Sequence, residues 1–286
     1  MIRRRIANHE WLPGKLTDGA MNVRVENTSP RASSAFSVLH REGGAKVAYA
    51  YSPGDSPTVV FLCGYASDMN GTKARFLETH CRRRNQAYLR FDYQGHGASS
   101  GRFEDGTLGL WLGDARAVIE SVTGGPLLLV GSSMGAWIML LVALAMKQHV
   151  AGLLGIASAP DFSEELVRPA LTSEQSARLE RDGMLALPSR YAGTPQLLSR
   201  AFLDDARRHL LLRGPIALDC PLRLIHGLED PDVPWKTSLR LAERVTSVDV
   251  QITLVKGGGH RLSDPDALDL IGSVLDTLID EIGKSD

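Results

Sequence analysis

Six short aliphatic runs set the frame for this chain. They are TVVFLCG (Thr58–Gly64), AYLRFDY (Ala87–Tyr93), PLLLVGS (Pro126–Ser132), AGLLGIASA (Ala151–Ala159), PLRLIHG (Pro221–Gly227) and VQITLVKG (Val250–Gly257). Unbroken apolar character over so few residues marks a strand covered on both faces, as in parallel sheets. Helical patterns lie between the runs, over Thr72–Arg84, Leu108–Val122, Met134–Gln148, Trp235–Val245 and Pro265–Ile282. This alternation predicts an α/β fold: a mostly parallel central sheet with helices on both faces. Ahead of the runs, AFSVLH (Ala35–His40) and KVAYAYS (Lys46–Ser52) flank REGGA. They read as a hairpin adding an antiparallel edge.

One segment breaks the pattern. Residues 161–216 show no strand signal, only the helix-like pieces SEELVRPALT, SEQSARLERDG and TPQLLSRAFLDDARRHLLL, joined at Pro169, Pro188 and Gly193. An insertion of that length between two core strands is too long for an ordinary loop. It predicts a small helical cap. The expected organisation is an irregular lead-in over residues 1–34, a core over 35–160 and 217–286, and the cap over 161–216.

A chain of 286 residues, 43% of them hydrophobic, can bury one large core. Its net charge of −1 supplies no field for nucleic acid. The most apolar window, Ala136–Met146, is far short of the roughly 20 residues a spanning helix needs, so no membrane span is expected. Cys63, Cys81 and Cys220 form no CxxC pair, which suits a reducing compartment. Arg3, Arg4 and Arg5 precede no apolar h-region. A cytoplasmic location is therefore expected. There is no H-E-x-x-H, no paired cysteine ligand set and no G-x-x-x-x-G-K-[ST], so neither a metal nor a cofactor is expected.

The chemistry is concentrated in LLLVGSSMGAWI, Leu127 to Ile138. GSSMG fits G-x-S-x-G with Gly131, Ser133 and Gly135, between a strand run and a helix pattern, the context a nucleophile elbow requires. Flanking glycines let so sharp a turn close. A helix beginning at Met134 also turns N–H groups toward the site. A serine hydroxyl is weak until a base takes its proton, and the base needs a third group to hold it. Of the eight histidines, His260 in LVKGGGH lies well beyond Ser133 in a loop just past a strand. Gly257, Gly258 and Gly259 give that loop freedom to place an imidazole. The acid belongs in LIHGLEDPDVPW, where Glu229, Asp230 and Asp232 are all candidates.

With these residues in view the chain resembles the α/β-hydrolase superfamily over most of residues 35–283. There the acid loop reads H-G-x-x-D-x-x-V-P, which His226, Gly227, Asp230, Val233 and Pro234 match. The resemblance selects Asp230. A narrower one rests on CGYASDMNGTKA, LRFDYQGHGASSG, TLGLW, VGSSMGAW, MLALPSRY and CPLRLIHGLEDPDVPW. Together these resemble the small family containing the mitochondrial acyl-glucuronide esterase, also described as a palmitoyl-protein thioesterase.

The resemblance implies a serine esterase or thioesterase with an α/β-hydrolase fold, working through an acyl-enzyme. Ser133 is the expected nucleophile, His260 the base and Asp230 the acid. The backbone N–H groups of Tyr65 and Met134 are the expected oxyanion hole. Cys63 stands where many hydrolases have histidine, and reads as a small buried apolar residue. Asp92 is expected to steady the glycine-rich loop FDYQGHGASSG, and His96 is a candidate pocket residue. In the cap, Phe162, Leu166, Leu185, Leu187, Leu197 and Phe202 could line an acyl pocket or pack on the sheet. Arg168, Arg190 and Arg200 are candidates to pair a substrate carboxylate. Expected partners are a small ester or acyl thioester, or an acylated protein, with the chain a monomer or homodimer. The rivals are a C–C bond or lactone hydrolase on the same triad, and a ligand-binding module without turnover.

Overall fold

The computed structural model describes residues 36–188 and 195–284. The lead-in over residues 1–34 and Arg190 lie outside them. Strands and helices alternate through most of the chain. The strands are β1 (Ser37–His40), β2 (Lys46–Ser52), β3 (Asp55–Leu62), β4 (Gln86–Phe91), β5 (Leu127–Ser132), β6 (Val150–Ile156), β7 (Met184–Leu187), β8 (Gln196–Ser199), β9 (Leu222–Gly227) and β10 (Val250–Val255). The helices are α1 (Thr72–Arg83), α2 (Leu108–Val122), α3 (Met134–Ala145), α4 (Arg168–Ala170), α5 (Ser173–Asp182), α6 (Arg200–Ala206), α7 (Lys236–Arg244) and α8 (Pro265–Gly283).

Eight strands form one sheet in the order β1-β2-β4-β3-β5-β6-β9-β10. β2 runs antiparallel to both β1 and β4, and every pairing from β4 to β10 is parallel. Parallel strands share a direction, so the exits of β3, β5, β9 and β10 all lie along one edge. Side-chain alternation assigns the helices to faces. A Cβ on Gly152 would meet Leu278 and Ile282 of α8, while one on Gly131 would meet Gly135 and Ala136 of α3. Gly152 pairs with Leu128, three residues before Gly131 on β5, so α8 and α3 cover opposite faces. The strand before the elbow and the helix after it are buried almost throughout. A helix apolar on every side has no solvent face to offer, so α3 sits at the centre.

The 161–216 segment departs from expectation. It carries two strands, β7 and β8, paired antiparallel from Met184↔Ser199 to Leu187↔Gln196. Four-residue runs such as MLAL and QLLS have no period that separates strand from helix, and only their mutual pairing decides. The helix expected across TPQLLSRAFLDD begins at Arg200, where the Ser199 hydroxyl caps it by accepting from the Phe202 N–H at 3.0 Å. α5 opens on a capping box, Thr172 with Gln175. Ahead of both, SEELV is a π-helical turn running into α4.

The segment is tied down at both ends. Asp161, held at φ +59°, accepts the N–H groups of Leu211 and Leu212 at 2.8 Å. Trp137 of α3 donates its indole N–H to the His209 carbonyl at 2.9 Å. No helix among the described residues is long and apolar enough to cross a membrane.

Candidate active site

The turn from β5 to α3 answers which of two adjacent serines faces the cleft. Ser132 is the last residue of β5 and is buried; Ser133 holds φ +56° and ψ −121°. A non-glycine residue there is strained and persists only where its surroundings fix it. They do so here. The Ser133 N–H donates to Ile156 O at 2.9 Å, and its carbonyl accepts from Ala136 at 2.9 Å and Ala159 at 3.2 Å. The flanking glycines are steric requirements. A Cβ on Gly131 would lie 2.5 Å from Ala136 Cα, and one on Gly135 2.1 Å from the Leu62 carbonyl.

His260 comes from the loop after β10 and Asp230 from the loop after β9. The His260 Nε2 lies 3.0 Å from the Ser133 hydroxyl, and its Nδ1 lies 2.8 Å from Asp230 Oδ2. The structure thus brings the three expected residues into one hydrogen-bonded chain. The carboxylate is an acceptor, so Nδ1 carries the hydrogen and Nε2 presents its lone pair to the serine. Asp230 Oδ1 accepts the N–H groups of Asp232 at 2.9 Å and Val233 at 2.8 Å. Burial would raise this carboxyl, yet hydrogen bonds from His226, His260 and the Val233 N–H prevail and hold it well below the usual carboxylate range. Of the three candidate acids, Asp230 lies 2.8 Å from His260 Nδ1. Asp230, Asp232 and His260 offer ligand atoms within 4.8 Å of one another, a spacing that could hold an ion. Both ring nitrogens of His260 are already engaged by Asp230 and Ser133.

The three glycines before His260 act differently from expectation. Only Gly257 takes a positive φ, +75°; Gly258 packs on Leu262 and Val255, and a Cβ on Gly259 would meet open space. The tight constraint lies across the cleft. A Cβ on Gly227 would come within 2.1 Å of the Gly258 carbonyl, so that glycine lets the loops after β9 and β10 touch. They are stitched there by Glu229 N–H to Gly258 O at 2.9 Å.

The loop after β3 runs beside the serine, where a Cβ on Gly64 would sit 3.4 Å from Ser133 Cβ. Among the described residues, neither the Tyr65 nor the Met134 N–H donates to a backbone acceptor. The Tyr65 phenol donates to the Leu197 carbonyl of β8 at 2.6 Å, linking this loop to the inserted segment. Its ring packs edge-on against Phe103, at 4.9 Å between centroids, and near Phe162 and Phe202. Cys63 is buried, and burial pushes its thiol well up, so it is an inert apolar residue. Asp92 accepts from Met69 N–H at 2.6 Å and Ala98 N–H at 2.8 Å, which steadies the glycine-rich loop.

His96 is buried edge-on against Trp111 and Phe103, and lines a small cavity with Ala66, Ser67 and Asp68. Burial brings its imidazole down to about 4 despite a hydrogen bond to the Gln94 carbonyl. Arg200 pairs with Glu180 at the surface, and Arg168 pairs with Glu164 and Asp204. Among the described residues neither makes a hydrogen bond or ion pair with Ser133, Asp230 or His260. Leu185 and Phe202 are buried in packing, while Phe162, Leu166, Leu187 and Leu197 are partly exposed.

Sequence reasoning placed His226 at a strand end and in the acid-loop motif but gave it no role at the site. It hydrogen-bonds Asp230. Its place four residues before the acid, in H-G-x-x-D, was the available signal.

Comparison with known proteins agrees with this geometry. The alpha/beta hydrolase family model matches residues 59–269. The chain is 38% identical over 253 residues to human palmitoyl-protein thioesterase ABHD10, mitochondrial, covering 88% of this chain and 82% of that one. It is 37% identical over 270 residues to the Pongo abelii protein of the same name, covering 92% and 88%. The solved structure of alpha/beta hydrolase domain-containing protein 10 from mouse superposes with a TM-score of 0.81 at 38% identity, covering 87% of this chain and all of that one. The names of these relatives place them in mitochondria, which overturns the cytoplasmic expectation. Unpaired cysteines speak to redox state and do not distinguish one reducing compartment from another.

Proposed function

The chain belongs to the alpha/beta hydrolase family, and on that premise we propose that it is a serine hydrolase cleaving carboxylic esters and thioesters through an acyl-enzyme. The reading is carried by one observation: Ser133 Oγ, both nitrogens of His260 and Asp230 Oδ2 form a continuous relay of 3.0 and 2.8 Å contacts. His260 Nε2 takes the hydroxyl proton as Ser133 Oγ bonds to the substrate carbonyl carbon. The negative charge that moves to the carbonyl oxygen is met by the N–H groups of Met134 and Tyr65. Such a pre-set donor contributes about 3–4 kcal/mol to the barrier reduction. The imidazolium, steadied by Asp230, returns its proton to the departing oxygen or sulfur, leaving the acyl group on Ser133. Water, deprotonated by the same nitrogen, then releases the acid and restores the hydroxyl.

Substrates are acyl esters and thioesters with a substantial apolar acyl part, on a small molecule or on a protein. Two things favour this. The relatives are named palmitoyl-protein thioesterases. The residues 161–216, read as a cap over the strand exits, bring Phe162 and Phe202 against Tyr65 beside the proposed oxyanion donor. Reaction with a fluorophosphonate followed by peptide mapping tests the nucleophile, with the label expected on Ser133 and lost in Ser133→Ala. A panel of p-nitrophenyl esters and acyl thioesters tests the reaction. No turnover of either would overturn it in favour of a C–C bond or lactone hydrolase, or of a binding module.

A further inference from the structure

Two histidines, not one, converge on the carboxylate of Asp230. The Oδ2 that accepts His260 Nδ1–H also lies 3.1 Å from His226 Nε2. That same Nε2 is 3.0 Å from the Val233 carbonyl, which can only accept. The Nε2 of His226 therefore carries a hydrogen, shared between the carbonyl and the carboxylate. On its other side, Nδ1 sits 2.8 Å from the hydroxyl of Ser238 on α7. The side chains of His226 and Asp230 are fully buried, and Ser238 is too. Every polar atom of the His226 ring is thus committed in a place water does not reach.

The location matters as much as the partners. Oδ1 of Asp230 is fixed by two backbone N–H groups of its own turn. Oδ2 is the working oxygen. A buried carboxylate with that oxygen tethered by the base alone would swing with the base. It would also give its full charge to the imidazolium. A second N–H aimed at the same oxygen from behind does two things: it fixes the oxygen in place, and its dipole draws charge away from the side facing His260.

We infer that His226 is a positioning residue of the triad, holding Asp230 Oδ2 in place and moderating the field it exerts on His260, with Ser238 holding the far side of the His226 ring. The inference rests on reading Ser133, His260 and Asp230 as the acting triad. Other ionisable groups lie on the segments around the base. Asp232 belongs to the same 4.8 Å cluster of ligand atoms. Arg261 is its chain neighbour. Lys73 at the start of α1 donates to the Arg261 carbonyl and, at 3.4 Å, to Ser263. Glu229 binds the Gly258 carbonyl through its backbone. These are common to every variant below, so differences between variants isolate His226.

The test compares wild type with His226→Leu, which removes the donor, and His226→Gln, whose amide N–H falls near the position of Nε2. Ser238→Ala removes the hydroxyl that holds Nδ1 and so loosens the ring against Oδ2. Three quantities are read: the pH dependence of kcat/KM on an acyl ester, the imidazole titration of His260 by NMR, and the melting temperature. With the dipole removed the imidazolium is better stabilised. The low-pH limb and the His260 titration are then expected to move up by about half to one pH unit in His226→Leu, with kcat about tenfold lower. His226→Gln should return both toward wild type, and Ser238→Ala should shift them in the same direction by less.

A purely structural His226 would lower the melting temperature and leave both titrations in place. That result overturns the inference, as does a shift in His226→Gln as large as in His226→Leu, or a downward shift. Should His226→Leu fail to fold, Ser238→Ala carries the test, and an unmoved His260 titration there refutes it. If the wild type hydrolyses no ester or thioester, the functional reading fails. The NMR titration then still decides the role of His226.

Discussion

Gly135→Ala adds one methyl group, and the structure says where it goes. The new Cβ would lie 2.1 Å from the Leu62 carbonyl oxygen and 2.5 Å from that of Cys63, against the 3.4 Å at which ordinary contact begins. About 1.3 Å of relief must come from somewhere. Leu62 ends β3 and pairs directly with Gly131 at the elbow, so strand and turn cannot separate without breaking the ladder. Gly135 is in the first turn of α3, whose start fixes the Ser133 backbone. The movement therefore falls on the loop that follows Leu62 and carries the Tyr65 N–H, or on the serine itself. A misplacement of about 1 Å at a reacting centre costs on the order of 10²-fold in rate, and loss of one oxyanion donor costs about 10²–10³-fold in kcat. Gly135→Ala is expected to lower kcat/KM by two to three orders of magnitude, roughly. Overpacking should also cost about 1–3 kcal/mol of stability.

Gly259→Ala is the internal control: it adds a methyl next to a residue of the proposed triad, as Gly135→Ala does two positions from one, but into open space. It should stay within about twofold of wild type, with stability changed by under about 1 kcal/mol. Hydrolysis of a p-nitrophenyl ester, the rate of fluorophosphonate labelling and a urea melt read all of this. Gly135→Ala with wild-type kcat and labelling rate, or Gly259→Ala equally impaired, would refute the steric account of the elbow.

Three further outcomes follow from the same contacts. Asp230→Asn faces donors on both sides, His226 and His260 at one oxygen and two backbone N–H groups at the other, so its amide has no orientation without a donor–donor clash. Its kcat should fall by about 10³–10⁴ even if it folds, as measured by steady-state ester hydrolysis. His96, held near 4 by burial against 6.5 in the unfolded chain, contributes stability that is fully present above pH 6.5 and lost as the pH falls toward 4. His96→Leu should reduce the drop in urea-unfolding free energy between pH 7 and pH 4.5 by about 2–3 kcal/mol. Tyr65→Phe removes the donor to the Leu197 carbonyl and leaves the Tyr65 backbone N–H intact. It should cost about 1–2 kcal/mol of stability by thermal melt, with a far smaller loss of kcat than Gly135→Ala.

What could be read in advance follows from where physics is local. Parallel strands buried on both faces must be apolar nearly throughout, so β3, β4, β5, β6 and β9 were visible to within a few residues, while β10 showed the same apolar run although it is a partly exposed edge strand. β3 begins earlier than its apolar run because Asp55 pairs with Gln86 across a register shift, and nothing in DSPT advertises that. The β7–β8 hairpin was invisible because each half is strand-like only in the presence of the other. The serine elbow was legible because its residues form one short contiguous motif, although only Gly131 is demanded by contacts within the turn and Gly135 answers to the Leu62 and Cys63 carbonyls. Gly227 was not, because its reason is the Gly258 carbonyl on a different loop. His226 escaped for the same cause: a side chain's hydrogen-bond partners are three-dimensional, and one of its partners, Ser238, lies on the next helix.

The order serine, acid, base along the chain is at root a property of the sheet. β5, β9 and β10 run parallel, so the residues following each emerge along one edge, although Ser133 and His260 are 127 positions apart. β6 stands between β5 and β9 and contributes no member of the proposed triad, yet its exit does the supporting work: Ile156 and Ala159 bond the Ser133 backbone on either side of the strained turn. That exit is also where the inserted segment begins, anchored within a few residues by Asp161. The strand that holds the backbone of the proposed nucleophile is therefore the one that launches the proposed substrate-facing segment. Substitutions in Ala157–Asp161 should disturb the elbow and that segment together, where substitutions in β7 or β8 should disturb the segment alone.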